Sequence, residues 1–249
     1  MSLLPVAVLA GGRASRLGAL TATLPKSLVP VAGRPFIHWQ LALLAQQGVS
    51  EVILCLGHLG EQIQATVGDG AEFGLQVRCV FDGERPLGTG GALKRALPHL
   101  GSAFFVLYGD SYLPCSFPAV QAAFTAHGAV GLMTILRNED RWDTSNVLFG
   151  NGKIIEYNKR LPRPAGMVHV DFGLSVLTRK AVESHPAGAS FDLADLYRAL
   201  SLRGELVGLE VTGRFYEIGS AAGLEATERY LRSLRAADEL QRTVPAGSR

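Results

Sequence analysis

The stretch Val6-Ala7-Val8-Leu9-Ala10-Gly11-Gly12-Arg13-Ala14-Ser15-Arg16-Leu17-Gly18 decides the fold: an apolar run, then a glycine-rich turn, then basic residues. A short apolar run broken by glycine reads as a buried strand. Glycines at its carboxyl end let backbone N–H groups approach an anion closely, and the end of a first parallel strand is where α/β sheets bind phosphates. Arg13, Arg16 and, farther on, Lys26 in Leu24-Pro25-Lys26-Ser27 supply countercharge. The pattern is neither GxxxxGK[ST] nor GxGxxG, so a P-loop and a dinucleotide-binding turn are both unsupported. The bland alternative is a tight turn with solvated basic residues, and three cations between residues 13 and 26 weigh against it.

Outward from this stretch, short runs of Val, Ile, Leu and Phe alternate with amphipathic segments, with Gly or Pro at most junctions. That is the pattern of βα units around a mostly parallel sheet. Strands are expected over 6–9, 51–56, 75–81 and 103–108, with helices over 35–47, 59–67 and 91–97 between them. After Gly109 and Asp110 the order changes. A helix over 118–126 precedes strands over 129–136, 146–149, 153–157 and 168–177 at hairpin-like spacing, so the later sheet is expected to be mixed. Strands over 205–211 and 215–218 and helices over 193–202 and 221–236 complete the domain. The expectation is α/β: a single Rossmann-like domain over 1–237, with helices flanking a mixed, mostly parallel central sheet. Residues 238–249 lose periodicity and read as a flexible tail.

Composition narrows the function classes. The chain has 249 residues, 47 % hydrophobic and 18 % charged, which is globular rather than disordered. With 24 Lys+Arg against 22 Asp+Glu the formal net charge is only +2, so no global electrostatic argument supports a nucleic-acid or anionic-membrane partner. The uncharged stretch 111–136 contains Pro114, Pro118, Gln121, His127 and Gly128, and reads as loop, helix and strand rather than a membrane span. No basic leader precedes the first strand, and a cytoplasmic location is the expectation. Cys55, Cys79 and Cys115 lack CxxC spacing, and the six histidines are dispersed, so neither a disulfide framework nor a zinc site is indicated.

The run Leu-Ala-Gly-Gly-(x)3-Arg-Leu followed by Leu-Pro-Lys-Ser-Leu-Val-Pro-Val resembles the signature of the sugar-1-phosphate nucleotidyltransferases, or nucleotide-sugar pyrophosphorylases. Three further stretches are similar to that family's motifs, in the same order. They are Pro86-Leu87-Gly88-Thr89-Gly90-Gly91-Ala92, Gly109-Asp110, and Glu217-Ile218-Gly219-Ser220. The resemblance implies a Rossmann-like (GT-A-like) domain and transfer of a nucleotidyl group from a nucleoside triphosphate to a sugar 1-phosphate, with Mg2+ and release of pyrophosphate. Those two substrates are the implied partners, with no nucleic acid or membrane; homo-oligomerisation stays open.

By that resemblance Arg16, Lys26 and Asp110 are the catalytic residues. Leu9, Ala10, Gly11, Gly12 and Arg13, with Gly88 and Thr89, would line the nucleotide. Gly90, Lys159, Asp171 and Gly173 would hold the sugar phosphate, and Asp110 and Glu217 would hold Mg2+. Carboxylate oxygens suit Mg2+, which is bound by one or two carboxylates plus substrate phosphates. The chain departs from the family in carrying Glu217 where aspartate is more usual, Asn158 beside Lys159 where many members have glutamate, and Asp171 where asparagine is common. An ionised aspartate accepts hydrogen bonds without donating, which alters the hydroxyl pattern it can read. Thr89 and Gly90 are alternatively a helix-start turn, and Trp142 either covers a sugar pocket or belongs to an interface. The run 32–36, the segment 57–61 and the second glycine motif look most like the short enzymes acting on heptose or related sugar 1-phosphates. They leave the nucleotide open, and guanylyl transfer is the preferred reading. Uridylyl or thymidylyl transfer to a hexose 1-phosphate and a non-catalytic nucleotide-binding protein are the alternatives. A glycosyltransferase is disfavoured because Gly109-Asp110-Ser111-Tyr112 lacks a second aspartate.

Overall fold

Alternate side chains of the first strand, β1 (Val6–Leu9), enter different cores, as the pleat of a strand covered on both faces requires. Val6 and Val8 join one hydrophobic cluster, Ala7 and Leu9 the other. The computed structural model describes residues 2–12 and 23–243. In chain order β1 is followed by the short strands β2 (Pro30–Val31) and β3 (Arg34–Pro35), then α1 (Phe36–Gln46), β4 (Glu51–Leu56), α2 (Gly60–Val67), β5 (Gln76–Phe81), α3 (Gly88–Ala96) and β6 (Ala103–Tyr108). The second half runs β7 (Ser111–Tyr112), α4 (Phe117–His127), β8 (Gly131–Arg137), β9 (Val147–Gly150), β10 (Lys153–Tyr157), β11 (His169–Thr178), α5 (Arg179–Glu183), α6 (Leu193–Leu202), β12 (Leu206–Glu210), β13 (Tyr216–Glu217) and α7 (Ala221–Thr243).

Among the described residues the main sheet has nine strands in the order β5-β4-β1-β6-β11-β8-β12-β10-β9. From β5 to β6 every neighbour is parallel; beyond β6, β8 and β12 are parallel and the other pairs antiparallel. The sheet is thus mixed, with its parallel part where the first four strands were expected. Helices α1, α2 and α4 cover one face through Ile37, Leu41, Leu44, Ile63, Val67, Phe117 and Val120. Helices α3, α5 and α6 cover the other through Leu93, Ala96, Val182, Leu196, Tyr197 and Leu200. A third, smaller core of Val29, Val31, Phe36, Tyr112, Ile218 and Leu231 docks α7 and the two small sheets onto the rim.

Four differences from the sequence expectation have local causes. The predicted strand over 215–218 shrinks to β13, which leaves the main sheet and pairs with β7. Helix α3 begins at Gly88 rather than Gly91, because tertiary packing over its glycines overrides their low helix propensity. Helix α5, five residues long, carries too few residues for its periodicity to show. The last helix continues through Thr243, so the segment read as a tail from 238 is helical to that point; residues 244–249 lie outside the described residues.

Candidate active site

Leu9 pairs with both Cys55 and Tyr108, so β1, β4 and β6 end level and present their carboxyl ends along one edge. A cleft of about 510 Å3 opens there. Its walls include Leu9, Ala10, Gly11, Gly12, Lys26, Gly57, His58, Asp82, Gly88, Thr89, Tyr108 and Asp110. A Cβ on Gly11 would stand 3.0 Å from the Gly57 backbone nitrogen, so these two strand-end loops touch only because side chains are missing. Gly12 is different. Among the described residues a Cβ there would meet nothing within 4 Å, and its backbone borders the cleft. Arg13 and Arg16 lie outside the described residues.

Lys26, in a single 3-10 turn, extends to Asp110 at the end of β6: Nζ donates to Oδ2 at 2.9 Å. The pair is partly shielded, with side chains 19 % and 34 % exposed. The turn bearing Asp110 is held from three directions. Gln40 Nε2 donates to the carbonyls of Tyr108 and Ser111, each at 2.7 Å. Ser27 Oγ donates to the Gly109 carbonyl at 3.1 Å, and the Ile218 amide to the Asp110 carbonyl at 3.0 Å. Gln40 and Ser27 were not read from the sequence as site residues, although a buried glutamine on the apolar face of α1 was a visible signal.

Glu217 is brought to the same place by the pairing of β13 with β7, which sets Glu217 opposite Ser111. Its carboxylate accepts from the Ser220 hydroxyl at 2.6 Å, from the Ser220 amide at 3.1 Å and from the Gly219 amide. A Cβ built on Gly219 would lie 2.8 Å from Glu217 Oε2, 3.2 Å from Lys26 Nζ and 3.4 Å from Asp110 Oδ2, so all three groups converge on one point. The extra methylene of glutamate is accommodated by Gly223, where a Cβ would sit 1.6 Å from Glu217 Oε1. Among the described residues no group of three or more His, Cys, Asp or Glu forms a metal cage. Two convergent carboxylates, all oxygen donors, fit an Mg2+ ion that takes its other ligands from phosphate and water.

The second glycine motif has another task. Gly90 is buried, its amide donates to the Phe191 carbonyl at 3.0 Å, and a Cβ there would strike the Phe191 ring at 2.2 Å. Phe191 occupies the space its missing side chain leaves, which accounts for glycine at this position by packing. Gly88 and Thr89 do line the cleft. The Thr89 hydroxyl also donates to Asp192 Oδ1 at 2.9 Å and accepts from the Leu193 amide at 2.8 Å, clasping α3 to the start of α6.

Toward β11 the cleft is walled by Tyr108. Lys159 Nζ stands 5.5 Å from the Tyr108 ring centroid and 5.7 Å from that of Tyr157. Asp171 and Gly173 sit in a bulge of β11, where the register with β8 shifts between Asp171 and Ser175. Gly173 adopts φ +104, and its amide donates to Asp171 Oδ1 at 2.9 Å. Burial pushes the Asp171 carboxyl above its ordinary range, while Lys159, the Gly173 amide and the Tyr157 hydroxyl pull it back. Asp82, also not singled out from the sequence, has Oδ2 accepting from the Leu87 amide at 3.2 Å, and burial likewise raises its carboxyl. The Cys55 thiol is pushed up to about 12 by burial, which rules it out as a nucleophile at neutral pH.

The MobA-like NTP transferase domain family matches residues 6–209. UTP–glucose-1-phosphate uridylyltransferase of Synechocystis sp. is 26 % identical over 78 % of this chain, which spans about half of that protein (54 %). N-acetylmuramate alpha-1-phosphate uridylyltransferase of Neisseria meningitidis serogroup B is 27 % identical over 89 % of this chain and 95 % of its own length. The crystal structure of HddC from Yersinia pseudotuberculosis complexed with GMP-PN superposes with a TM-score of 0.76 at 22 % identity, covering 92 % of this chain and 100 % of that one. On the family match, which covers most of its length, the chain belongs to the MobA-like NTP transferases.

Proposed function

We propose that the protein transfers a nucleotidyl group from a nucleoside triphosphate to a sugar 1-phosphate, forming a nucleotide sugar and pyrophosphate. The observation that carries this reading is the convergence of Lys26, Asp110 and Glu217 at the end of a glycine-walled cleft. An oxygen of the sugar 1-phosphate attacks the α-phosphorus, and the bond from that phosphorus to the oxygen bridging to the β-phosphorus breaks, so pyrophosphate leaves with its electron pair. No protein group need be covalently involved. The chain's work is to hold two polyanions in line and to stabilise their charge.

Backbone amides at Gly11 and Gly12 receive the triphosphate, and Lys26, oriented by Asp110, points its ammonium at the reacting phosphates. Arg16 is assigned to the same phosphates by sequence alone. Asp110 and Glu217 would hold Mg2+, which when bound supplies charge neutralisation at the reacting phosphate. On the acceptor side, Lys159 takes the 1-phosphate, while Asp171 and the Gly173 bulge face sugar hydroxyls as acceptors.

Asp82 supports guanylyl transfer. Asp82 stands on the cleft wall, and with the base seated against it a carboxylate suits guanine, which offers two adjacent donors, N1–H and its exocyclic amine. Uracil and thymine offer one N–H flanked by carbonyl oxygens that a carboxylate repels. The near full-length likeness to a uridylyltransferase favours the second reading, a uridylyltransferase. The test is pyrophosphate release with Mg2+ across the five nucleoside triphosphates and a panel of hexose and heptose 1-phosphates. Release with GTP and one sugar 1-phosphate of the panel is the expected result, and Asp82→Asn should erode the preference for GTP over UTP. Release with UTP alone favours the second reading. Nucleotide binding without release from any pair would leave a binding protein.

A further inference from the structure

Two loops follow the carboxyl ends of the parallel neighbours β8 and β12, the edge where α/β sheets meet ligands. The first carries Trp142 and the second Arg214. The Arg214 guanidinium lies between two rings, 5.4 Å from the Tyr216 centroid and 6.0 Å from that of Trp142. Tyr216 is in turn stacked on Tyr230 at 3.9 Å, which braces the far side of the sandwich. The neighbouring arginines along this edge are already engaged: Arg137 and Arg141 with Glu139, Arg160 with Asp195, Arg163 with the Ser145 carbonyl. Arg214 has no ion pair and no hydrogen bond among the described residues, and its Nε is buried without an acceptor.

A guanidinium carries five donors in a fixed plane, and a buried donor without a partner is costly until an acceptor arrives. Packing against aromatic rings holds the plane, and the burial of Nε strengthens any charge-assisted bond that it then makes. The chain around Arg214 runs beside the bulge of β11. The next residue, Phe215, packs edge to face on Phe172 at 6.0 Å, between Asp171 and Gly173, and Glu217 follows two residues later. Lys159 is assigned to the 1-phosphate in the transferase reading above, so a second cation has a different anion to serve.

We propose that Arg214 selects sugar 1-phosphates bearing a second anionic group, a carboxylate or a further phosphate, remote from the reacting phosphate. Trp142 and Tyr216 are positioning residues that hold the guanidinium plane. This inference rests on the transferase reading above.

The test compares matched acceptors by pyrophosphate release: glucuronic acid 1-phosphate or glucose 1,6-bisphosphate against glucose 1-phosphate, and N-acetylmuramic acid 1-phosphate against N-acetylglucosamine 1-phosphate. The readout is the ratio of kcat/KM for the acidic over the neutral member. The wild type should prefer at least one acidic member about tenfold or more. That ratio should fall to near one in Arg214→Gln and persist in Arg141→Gln, whose guanidinium also lies by Trp142, 5.6 Å from its centroid. Which pair responds separates a carboxylate from a phosphate. An equal loss on both members in Arg214→Gln means packing or contact with the shared 1-phosphate, and overturns the proposal. So does a wild type that prefers neutral sugars. Silence across every pair and every nucleotide instead removes the transferase reading, and this inference with it.

Discussion

The end of the cleft proposed for the nucleotide and the end proposed for the acceptor are built by opposite means. At the first, parallel strands β1, β4 and β6 stop level and the walls are largely backbone, with the Gly11 and Gly57 loops in contact. At the acceptor end the sheet turns antiparallel, a bulge breaks the register, and side chains do the work: Lys159 over Tyr108, Asp171 against Tyr157, Arg214 between Trp142 and Tyr216. Phosphate is common to every nucleotide, so backbone amides and dipoles suffice for it. Discriminating one sugar from another needs donors and acceptors at fixed places, which only side chains supply.

The largest effect that would break this contrast lies where the two ends meet. Lys26→Ala should lower kcat by about 100-fold or more, as loss of one oriented donor to developing charge commonly does. Its melting temperature should stay near wild type, because a single partly exposed ion pair contributes little. Near-normal turnover at saturating substrates would leave Lys26 only a partner for Asp110 and remove it from the transfer step. Gly223→Ala comes next. It drives a methyl into the Glu217 carboxylate, and the Mg2+ concentration needed for half-maximal turnover should rise about 10-fold or more. An unchanged Mg2+ titration would detach Glu217 from the metal.

Smaller effects sharpen the contrast by separating packing from binding. Thr89→Ala removes the clasp between α3 and α6 and should cost about 1 kcal/mol in urea unfolding. A large rise in the KM for nucleotide with unchanged stability would instead make Thr89 a ligand contact. Asp171→Asn carries a pH signature. Burial raises the Asp171 carboxyl above 3.8, so the native state holds that proton more tightly than the unfolded chain. The stability this brings is present below the ordinary value and is lost as pH rises through the folded one. The asparagine variant has no such loss, and its melting temperature relative to wild type should climb between about pH 4 and 7. A flat difference would mean that Lys159 cancels the burial.

The legibility of the two ends differs for the same reason. Leu9 to Gly12, Lys26 and Asp110 stand in or beside strong local patterns, an apolar run closed by glycine or aspartate, and the structure brings them to one cleft. Gly90 belongs to an equally visible motif, yet its glycine answers to Phe191, a residue about a hundred positions away. Gln40, Asp82 and Arg214 belong to no motif, and their roles arise from segments that meet only after the sheet forms.

The amino-acid sequence by itself determined the two-sided burial of β1, β4 and β6, the glycine turn at the strand end and the carboxylate that closes β6. Apolar periodicity and turn chemistry act over a few residues, and those features need nothing more. Only the tertiary structure decided that β13 leaves the main sheet to set Glu217 beside Asp110, that Gly219 and Gly223 make room for its longer side chain, and that Arg214 lies between two rings without an acceptor. Each depends on contacts between distant stretches of chain, and such contacts leave no periodic trace in the residues that make them.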